Sequence, residues 1–347
     1  MVSFFSDVTS LNSKLARLVR SYSDVFVLVD ENTEKHCLPL IKLALATFQT
    51  ITIPSGENNK NLQSCQLIWD SLTERAADRK ALLINLGGGV ISDMGGFAAS
   101  CYKRGIDFIN IPTTLLAMAD ASVGGKTGID FRGFKNQVGL FSEAKEVLIC
   151  NEFLQTLDER QLRSGLAEVV KHYLIADGLS FLDFSRDIGI RPDLESIKKA
   201  VAIKSKIVAE DPHEKNVRKK LNFGHTVGHA LESYSLTTDV PLLHGEAVAY
   251  GMAIETYIAA FKSLIDEEKA GFVCHTLRSA FDLKPLSETM TAGILALVIQ
   301  DKKNENGRVK MALIEDIGSC QIDVAVSTEE IKEAIGYFNK TLTHHAG

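Results

Sequence analysis

Between Asp24 and about Cys150 the apolar positions fall into two rhythms. Short continuous runs (VFVLVD, TITIP, ALLINL and FINIP) alternate with stretches whose apolar residues recur at helical spacing. The runs predict strands. The stretches predict helices over Asn32–Phe48, with Asn32 as N-cap, and over Leu62–Ala77 and Val90–Tyr102. Strand–helix alternation of this kind gives a parallel sheet with helices on both faces, whose ligands bind at the carboxyl ends of the strands. From about Asn151 the strands largely stop. LDERQLRSGLAEVVKHYLIAD, HTVGHALE and GEAVAYGMAIETYIAAF all read as helices, and VKMALI reads as a short strand after a charged turn, NENG. The pattern predicts a Rossmann-like α/β domain over residues 1–152 and a mainly α-helical domain over 153–347, with the active site in the interdomain cleft. A length of 347 residues suits two such domains.

The strand ALLINL runs directly into Gly87-Gly88-Gly89 and then into a helix start, VISDMGGF. Glycines let the backbone approach a phosphate, and a helix N-terminus supplies N–H donors and the positive end of the helix dipole. Ser92 stands where a dinucleotide fingerprint has its third glycine, so a plain strand-to-helix turn competes with the cofactor reading. Asp93 and the Pro112–Thr114 segment would face the same ligand. Further on, GGKTG resembles a phosphate loop, but Asp120 occupies the place of that loop's first glycine and helix-like LLAMAD precedes it. A nucleotide-hydrolysing loop is therefore rejected. A glycine turn presenting Lys126 to an anion remains, and Lys135-Asn136 in GFKNQVG reads as a second.

Three of the nine histidines, His225, His229 and His244, fall within twenty residues. His225 and His229 are four apart and share a helix face; His244 follows a polar loop and opens the next helix. Neutral imidazoles gathered in this way hold zinc, although packing or solvation accounts for such a trio as readily. A further ligand would be a carboxylate. Glu168, with Lys171 three residues on and Leu166, Val169, Val170 and Leu174 around it, is the candidate, because a buried Glu needs a cation. Lys204, Glu214, Arg218 and Asn222 lead up to the first histidine, and Lys302 or Lys303 could reach the cleft from the late DKK.

Composition narrows the classes. A net charge of −6 argues against nucleic acid or an anionic membrane as partner. No apolar run approaches the ~20 residues of a membrane span. The N-terminus carries Asp7 and polar residues where a signal peptide needs an apolar core. Six scattered Cys without a CxxC pair fit reduced thiols and a cytoplasmic protein. A dinucleotide turn, a His/Glu metal site and concentrated cations together suggest an NAD- and metal-dependent dehydrogenase acting on a polyol or glycerol phosphate.

The motifs GGGVISDMGGF, RGIDFINIPTTLLAMADASVGGKTGID, FKNQVG, SGLAEVVKHYLIAD, RKKLNFGHTVGHALE, LLHGEAV and DKK, in this order from about Ser55 to Gly318, resemble the 3-dehydroquinate synthase family of sugar-phosphate cyclases. The resemblance implies a lyase of the shikimate pathway leading to chorismate and the aromatic amino acids. It would convert 3-deoxy-D-arabino-heptulosonate 7-phosphate to 3-dehydroquinate and phosphate through transient oxidation by NAD, phosphate elimination, re-reduction and aldol closure. By resemblance, Glu168, His225 and His244 hold zinc or cobalt, while His229, Lys171, Asp120 and Glu214 serve the reacting groups. Lys126, Asn136, Asn222 and Lys302 contact phosphate and hydroxyls, and Lys204 and Arg218 hold the substrate carboxylate. Gly88, Gly89, Val90, Asp93, Thr113 and Thr114 contact NAD. Arg104 reaches a neighbouring subunit's site, which implies a homodimer. Ser92, Ala121, Asp130 and the LDERQ stretch depart from the family pattern, and Asp130 would be unfavourable if it pointed into a phosphate pocket. A related cyclase with another sugar phosphate is the alternative.

Overall fold

The structure, a computed structural model, describes residues 1–132, 134–300 and 308–343. In chain order the strands are β1 (Val2–Phe5), β2 (Val25–Asp30), β3 (Gln49–Ile53), β4 (Leu82–Gly87), β5 (Asp107–Pro112), β6 (Lys126–Phe131), β7 (Phe134–Phe141), β8 (Val147–Cys150), β9 (Arg308–Asp316) and β10 (Ser319–Ser327). The helices are α1 (Val8–Leu18), α2 (Glu31–His36), α3 (Leu38–Ile41), α4 (Leu62–Glu74), α5 (Gly89–Cys101), α6 (Glu159–Ala176), α7 (Gly178–Arg186), α8 (Leu194–Glu210), α9 (His225–Ser235), α10 (His244–Phe261), α11 (Glu267–Phe281), α12 (Glu288–Gln300) and α13 (Thr328–Thr343). The chain divides into two compact units, Met1–Leu162 with Asp193–Val201, and Arg163–Pro192 with Ala202–Gly347.

In the first unit six strands pair in parallel in the order β1-β8-β5-β4-β2-β3. All six residues of β4 are buried, as expected of a strand covered by helices on both faces. Phe26, Leu28 and Leu83 from the sheet pack with Ile68 and Leu72 of α4 and Met94 and Phe97 of α5. Each such side chain contributes about 1.5–3 kcal/mol by leaving water. The chain passes from β2 outward to β3 and then returns to the other side of β2 for β4, so the strand order reverses there. The crevice at the carboxyl ends of β2 and β4 is where open α/β sheets take ligands. Gly87, the last residue of β4, lies opposite Pro112 of β5, which brings the glycine turn beside Thr113.

Several expectations are corrected in this unit. The stretch 32–48 is not one helix: it breaks at Cys37 into α2 and α3, because Pro39 in the first turn of α3 has no N–H to continue the α2 ladder. The N-cap is Asp30, not Asn32, and Thr33 completes a reciprocal capping box. The N-terminal residues supply an edge strand, β1. KTGIDF and FKNQVGLF pair antiparallel as β6 and β7, with β7 exposed at every position. Lys135 and Asn136 therefore lie on a strand and not in a glycine turn.

In the second unit α10 is buried almost all round, and α9, α11 and α13 pack against it. β9 and β10 form an antiparallel hairpin beside it; the segment VKMALI is part of β9. No helix among the described residues is long and apolar enough to cross a membrane. The expected NENG turn, Lys302 and Lys303 lie outside the described residues.

Candidate active site

Three helices of the second unit bring the metal-competent groups together. Glu168 lies in the middle of α6, fully buried, while His225 and His244 are the first residues of α9 and α10. His225 Nε2 and His244 Nε2 stand 3.6 and 3.4 Å from the same oxygen, Glu168 Oε1. Two atoms bound to a tetrahedral zinc at about 2.1 Å would be about 3.4 Å apart, so the spacing suits one shared cation. The opposite nitrogens are also anchored. His225 Nδ1 donates to the Phe223 carbonyl at 3.1 Å, and His244 Nδ1 donates to Glu232 Oε2 at 3.1 Å. A metal-ligating imidazole is oriented in this way by an acceptor on its other nitrogen.

The electrostatics agree. Burial and the Lys171 ammonium hold His225 well below its ordinary pKa, leaving its imidazole neutral, as a metal ligand must be. Burial pulls His244 down too, but its hydrogen bonds to Glu168 and Glu232 prevail and raise it to about 9. Two carboxylates around one ring thus favour a positive charge at this spot. The Lys171 ammonium pairs with Glu168 Oε2. His229, one turn along α9, is exposed, with its ring 5.0 Å from that of His225 and 5.7 Å from that of His244. The ring nitrogens of all three histidines lie within 4.8 Å of one another, so a three-histidine set and the Glu168 set both meet here.

After α8 the chain turns around Asp211. Its Oδ1 accepts the Lys215 N–H at 3.0 Å, and its Oδ2 accepts the N–H groups of Asn216 and Arg218 at 2.6 and 3.2 Å. Burial pushes this carboxyl up, and the three donors outweigh it, so its pKa falls below the ordinary value. The loop so formed places Glu214, held at φ +56°, and Arg218, which is buried and donates to the Pro212 carbonyl at 2.7 Å. Asn222 Nδ2 donates to Glu214 Oε1 at 2.8 Å. Lys204, on α8, is buried as well. Two buried cations in one unit suit an anionic ligand.

In the first unit the glycine turn is built by register. The Thr113 N–H donates to the Gly87 carbonyl at 3.0 Å, and a Cβ on Gly88 would lie 3.1 Å from the Thr114 methyl. Gly88 caps α5 and Gly89 begins it, so bare backbone faces the carboxyl end of β4. Ser92 is accommodated by back-bonding to the Gly88 and Gly89 carbonyls at 3.3 and 3.1 Å. Val90 packs on the core beneath. Lys60, which the sequence reading missed, is buried and donates to both Asp93 Oδ2 and Asn136 Oδ1 at 2.6 Å. Burial works against its ammonium, and Asp93, Glu57 and Asp130 outweigh it, so its pKa is raised. Asp130 Oδ1 accepts the Asn136 N–H at 2.8 Å, so the departure flagged in the sequence helps to shape the hairpin. Asp120 sits half-buried on a π-helical turn, Ala117–Ala121. Lys126 opens β6, exposed, after Gly124 and Gly125 at φ +105° and +67°. Arg104 is exposed in a left-handed turn at φ +68°. Lys302 lies outside the described residues.

Three residues that sequence reasoning missed orient the rest: Lys60, Asp211 and Glu232. Asp211 carried a local signal, an acidic residue followed by Pro at a helix end. The other two are recognised only by partners far along the chain or on another helix.

Comparison with known proteins extends the likeness. Residues 50–164 match the 3-dehydroquinate synthase N-terminal family and residues 165–304 the 3-dehydroquinate synthase C-terminal family. A 3-dehydroquinate synthase of Parabacteroides distasonis is 40% identical over 340 residues, covering 95% of this chain and 96% of that protein. One from Nitratiruptor sp. is 39% identical, covering 87% and 86%. Among solved structures, the 2-epi-5-epi-valiolone synthase of Streptomyces hygroscopicus subsp. jinggangensis, with NAD+ and Zn2+ bound, superposes with a TM-score of 0.85. It is 27% identical, covering 98% of this chain and 97% of its own. A protein from Sinorhizobium meliloti described as a probable glycerol dehydrogenase, 12% identical with a TM-score of 0.64, shares the fold. Identity of 40% through both the glycine-turn unit and the Glu/His unit goes beyond shared architecture, and the chain belongs to the 3-dehydroquinate synthase family.

Proposed function

We propose that this chain converts 3-deoxy-D-arabino-heptulosonate 7-phosphate to 3-dehydroquinate and phosphate, using NAD and a divalent metal, zinc or cobalt. The observation that carries the reading, given the family, is the convergence of His225 Nε2 and His244 Nε2 on Glu168 Oε1. These three are the ligands we assign, and His229, exposed on the same helix face, is left to exchange a proton with a substrate hydroxyl. When bound, NAD takes up a hydride from the substrate and returns it, and the metal acts as a Lewis acid on substrate hydroxyls. The donor set fits such a metal: one buried carboxylate and two imidazoles, each ring with its second nitrogen anchored.

The other roles follow from chemistry and position. Lys204 and Arg218, both buried, hold the substrate carboxylate, and Glu214 orients Asn222 toward a hydroxyl. Lys126, Asn136 and Lys302 take the phosphate, with Arg104 supplied by the second subunit of a homodimer. Asp120 and Lys171 flank the reacting hydroxyls. The N–H groups at Gly88, Gly89 and Val90 cradle the cofactor's phosphates, and Asp93, Thr113 and Thr114 complete its contacts. In this reading residues 1–152 bind NAD, residues 153–347 bind metal and substrate, and the protein works in the cytoplasm.

The test is phosphate release from 3-deoxy-D-arabino-heptulosonate 7-phosphate by metal-loaded protein with catalytic NAD, followed together with NADH absorbance. Stoichiometric phosphate without NADH accumulation, abolished by a chelator and by Glu168→Ala, is expected. NADH accumulation on a polyol or glycerol phosphate would make the chain a net dehydrogenase. Turnover only of sugar phosphates lacking the carboxylate would make it a cyclase of another substrate.

A further inference from the structure

Glu255 is a fully buried carboxyl that none of the roles above uses. It lies on α10, and both of its oxygens are turned to the start of α9. Oε2 accepts the Gly224 N–H at 2.6 Å and Oε1 accepts the Val227 N–H at 3.0 Å. The first N–H groups of a helix have no partner within it. Gly224, the N-cap of α9, has no side chain to serve them, and its φ of +78° belongs to the left-handed region. The cap is thus provided by another helix, thirty-one residues along the chain.

The approach this requires is close. A Cβ on Gly251 would lie 1.8 Å from the Gly224 carbonyl oxygen, and a Cβ on Gly228 3.1 Å from that of Ala247. Burying a carboxyl is unfavourable unless its oxygens are hydrogen-bonded. Complete burial pushes Glu255 up to about 8, against the pull of the N–H groups of Val227, Gly224 and Thr226. The two joined helices each begin with one of the paired histidines, His225 on α9 and His244 on α10.

We infer that Glu255 is a positioning residue for the metal centre: by clamping the first turn of α9 to α10 it fixes His225 relative to His244. The inference rests on the assignment of these histidines as ligands. It predicts that the clamp acts on metal affinity and not only on stability, because the separation of the two Nε2 atoms depends on the depth and rotation of the first turn of α9.

The experiment compares the full-length chain with Glu255→Gln and Glu255→Ala. Zinc affinity is read by competition with a chromophoric chelator, and the fold by far-UV circular dichroism. Gln keeps the size but turns an amide NH2 toward one of the two N–H donors; Ala removes both acceptors. Zinc binding is expected to weaken roughly ten- to hundredfold, more for Ala than for Gln. At saturating zinc, kcat should fall with KM for the sugar phosphate unchanged. A folded Gln variant that binds zinc within twofold of the unsubstituted chain overturns the inference. Failure of the unsubstituted chain to bind zinc would instead overturn the ligand assignment. If neither variant folds, hydrogen exchange on the unsubstituted chain decides: zinc must slow exchange at Gly224 and Val227, and unchanged exchange refutes the coupling.

Discussion

Glu232 accepts a hydrogen bond from His244 Nδ1 at 3.1 Å, while the other nitrogen of that ring faces Glu168 Oε1 at 3.4 Å. The ring is held between two buried carboxylates. In the proposed metal site Glu232 thereby fixes the tautomer that leaves Nε2 to face the ion and raises its basicity. Glu232→Gln is expected to weaken zinc roughly ten- to hundredfold with the fold retained. Chelator competition alongside circular dichroism checks this. Unchanged affinity would mean that the carboxylate does not orient the ligand.

Arg218 is buried and its guanidinium already donates to the Pro212 carbonyl, so the fork is held in one orientation. Lysine keeps the charge but not the planar, two-pronged geometry that suits a carboxylate. Arg218→Lys should raise KM for the sugar phosphate by about tenfold, equivalent to about 1.4 kcal/mol, with a smaller change in kcat. Steady-state phosphate release measures both. A reduced kcat at constant KM would move Arg218 out of the substrate-carboxylate role.

Lys60 joins two segments assigned to different ligands, Asp93 of the cofactor turn and Asn136 of the hairpin. Removing one partner of a buried pair costs about 3–5 kcal/mol, and less here because Asp93 keeps part of its surface in water. Lys60→Met is expected to lower unfolding stability by about 2 kcal/mol in a urea titration. NAD and substrate affinity should weaken together. A loss confined to one ligand would show that the two segments are held independently.

The loop around Asp211 makes the acid limb of the stability curve testable. The carboxyl sits below its ordinary value of 3.8, held down by its N–H donors. Its contribution is therefore complete above pH 3.8 and is lost as pH falls through the lower folded value, where the native state must take up a proton. Asp211→Asn should flatten that limb relative to the unsubstituted chain in urea titrations between pH 2 and 5. It should also raise KM at neutral pH by loosening Arg218. Superposable acid limbs would count against the loop assignment.

How far the sequence could be read depended on the range of the interaction. Strands β2 to β5, the glycine turn and the helices bearing Glu168, His225 and His244 follow from local periodicity, and the burial of Glu168 followed from its apolar neighbours. The hairpin β6–β7 was hidden because glycines interrupt it and its second strand shows no buried face. The helix expected over 32–48 failed at Pro39, where a missing N–H outweighed apolar spacing. The Lys60–Asp93 and Glu255–Gly224 pairs are separated by 33 and 31 residues, so no spacing rule reveals them. Family resemblance supplied the groups proposed to meet the substrate, but not those that hold these groups in place.

The double anchoring of the proposed metal ligands has a thermodynamic consequence. With His225 tied to the Phe223 carbonyl, His244 to Glu232 and the start of α9 to Glu255, the ordering entropy of the site is met when the chain folds. Metal uptake then resembles a ligand entering a finished receptor, with little heat-capacity change, unlike a zinc finger whose folding waits for its ion. Stabilisation by the ion reduces to mass action, rising by about 1.4 kcal/mol for each tenfold excess over Kd. A chain stripped by chelator should keep its helical spectrum and recover activity as fast as metal can diffuse in.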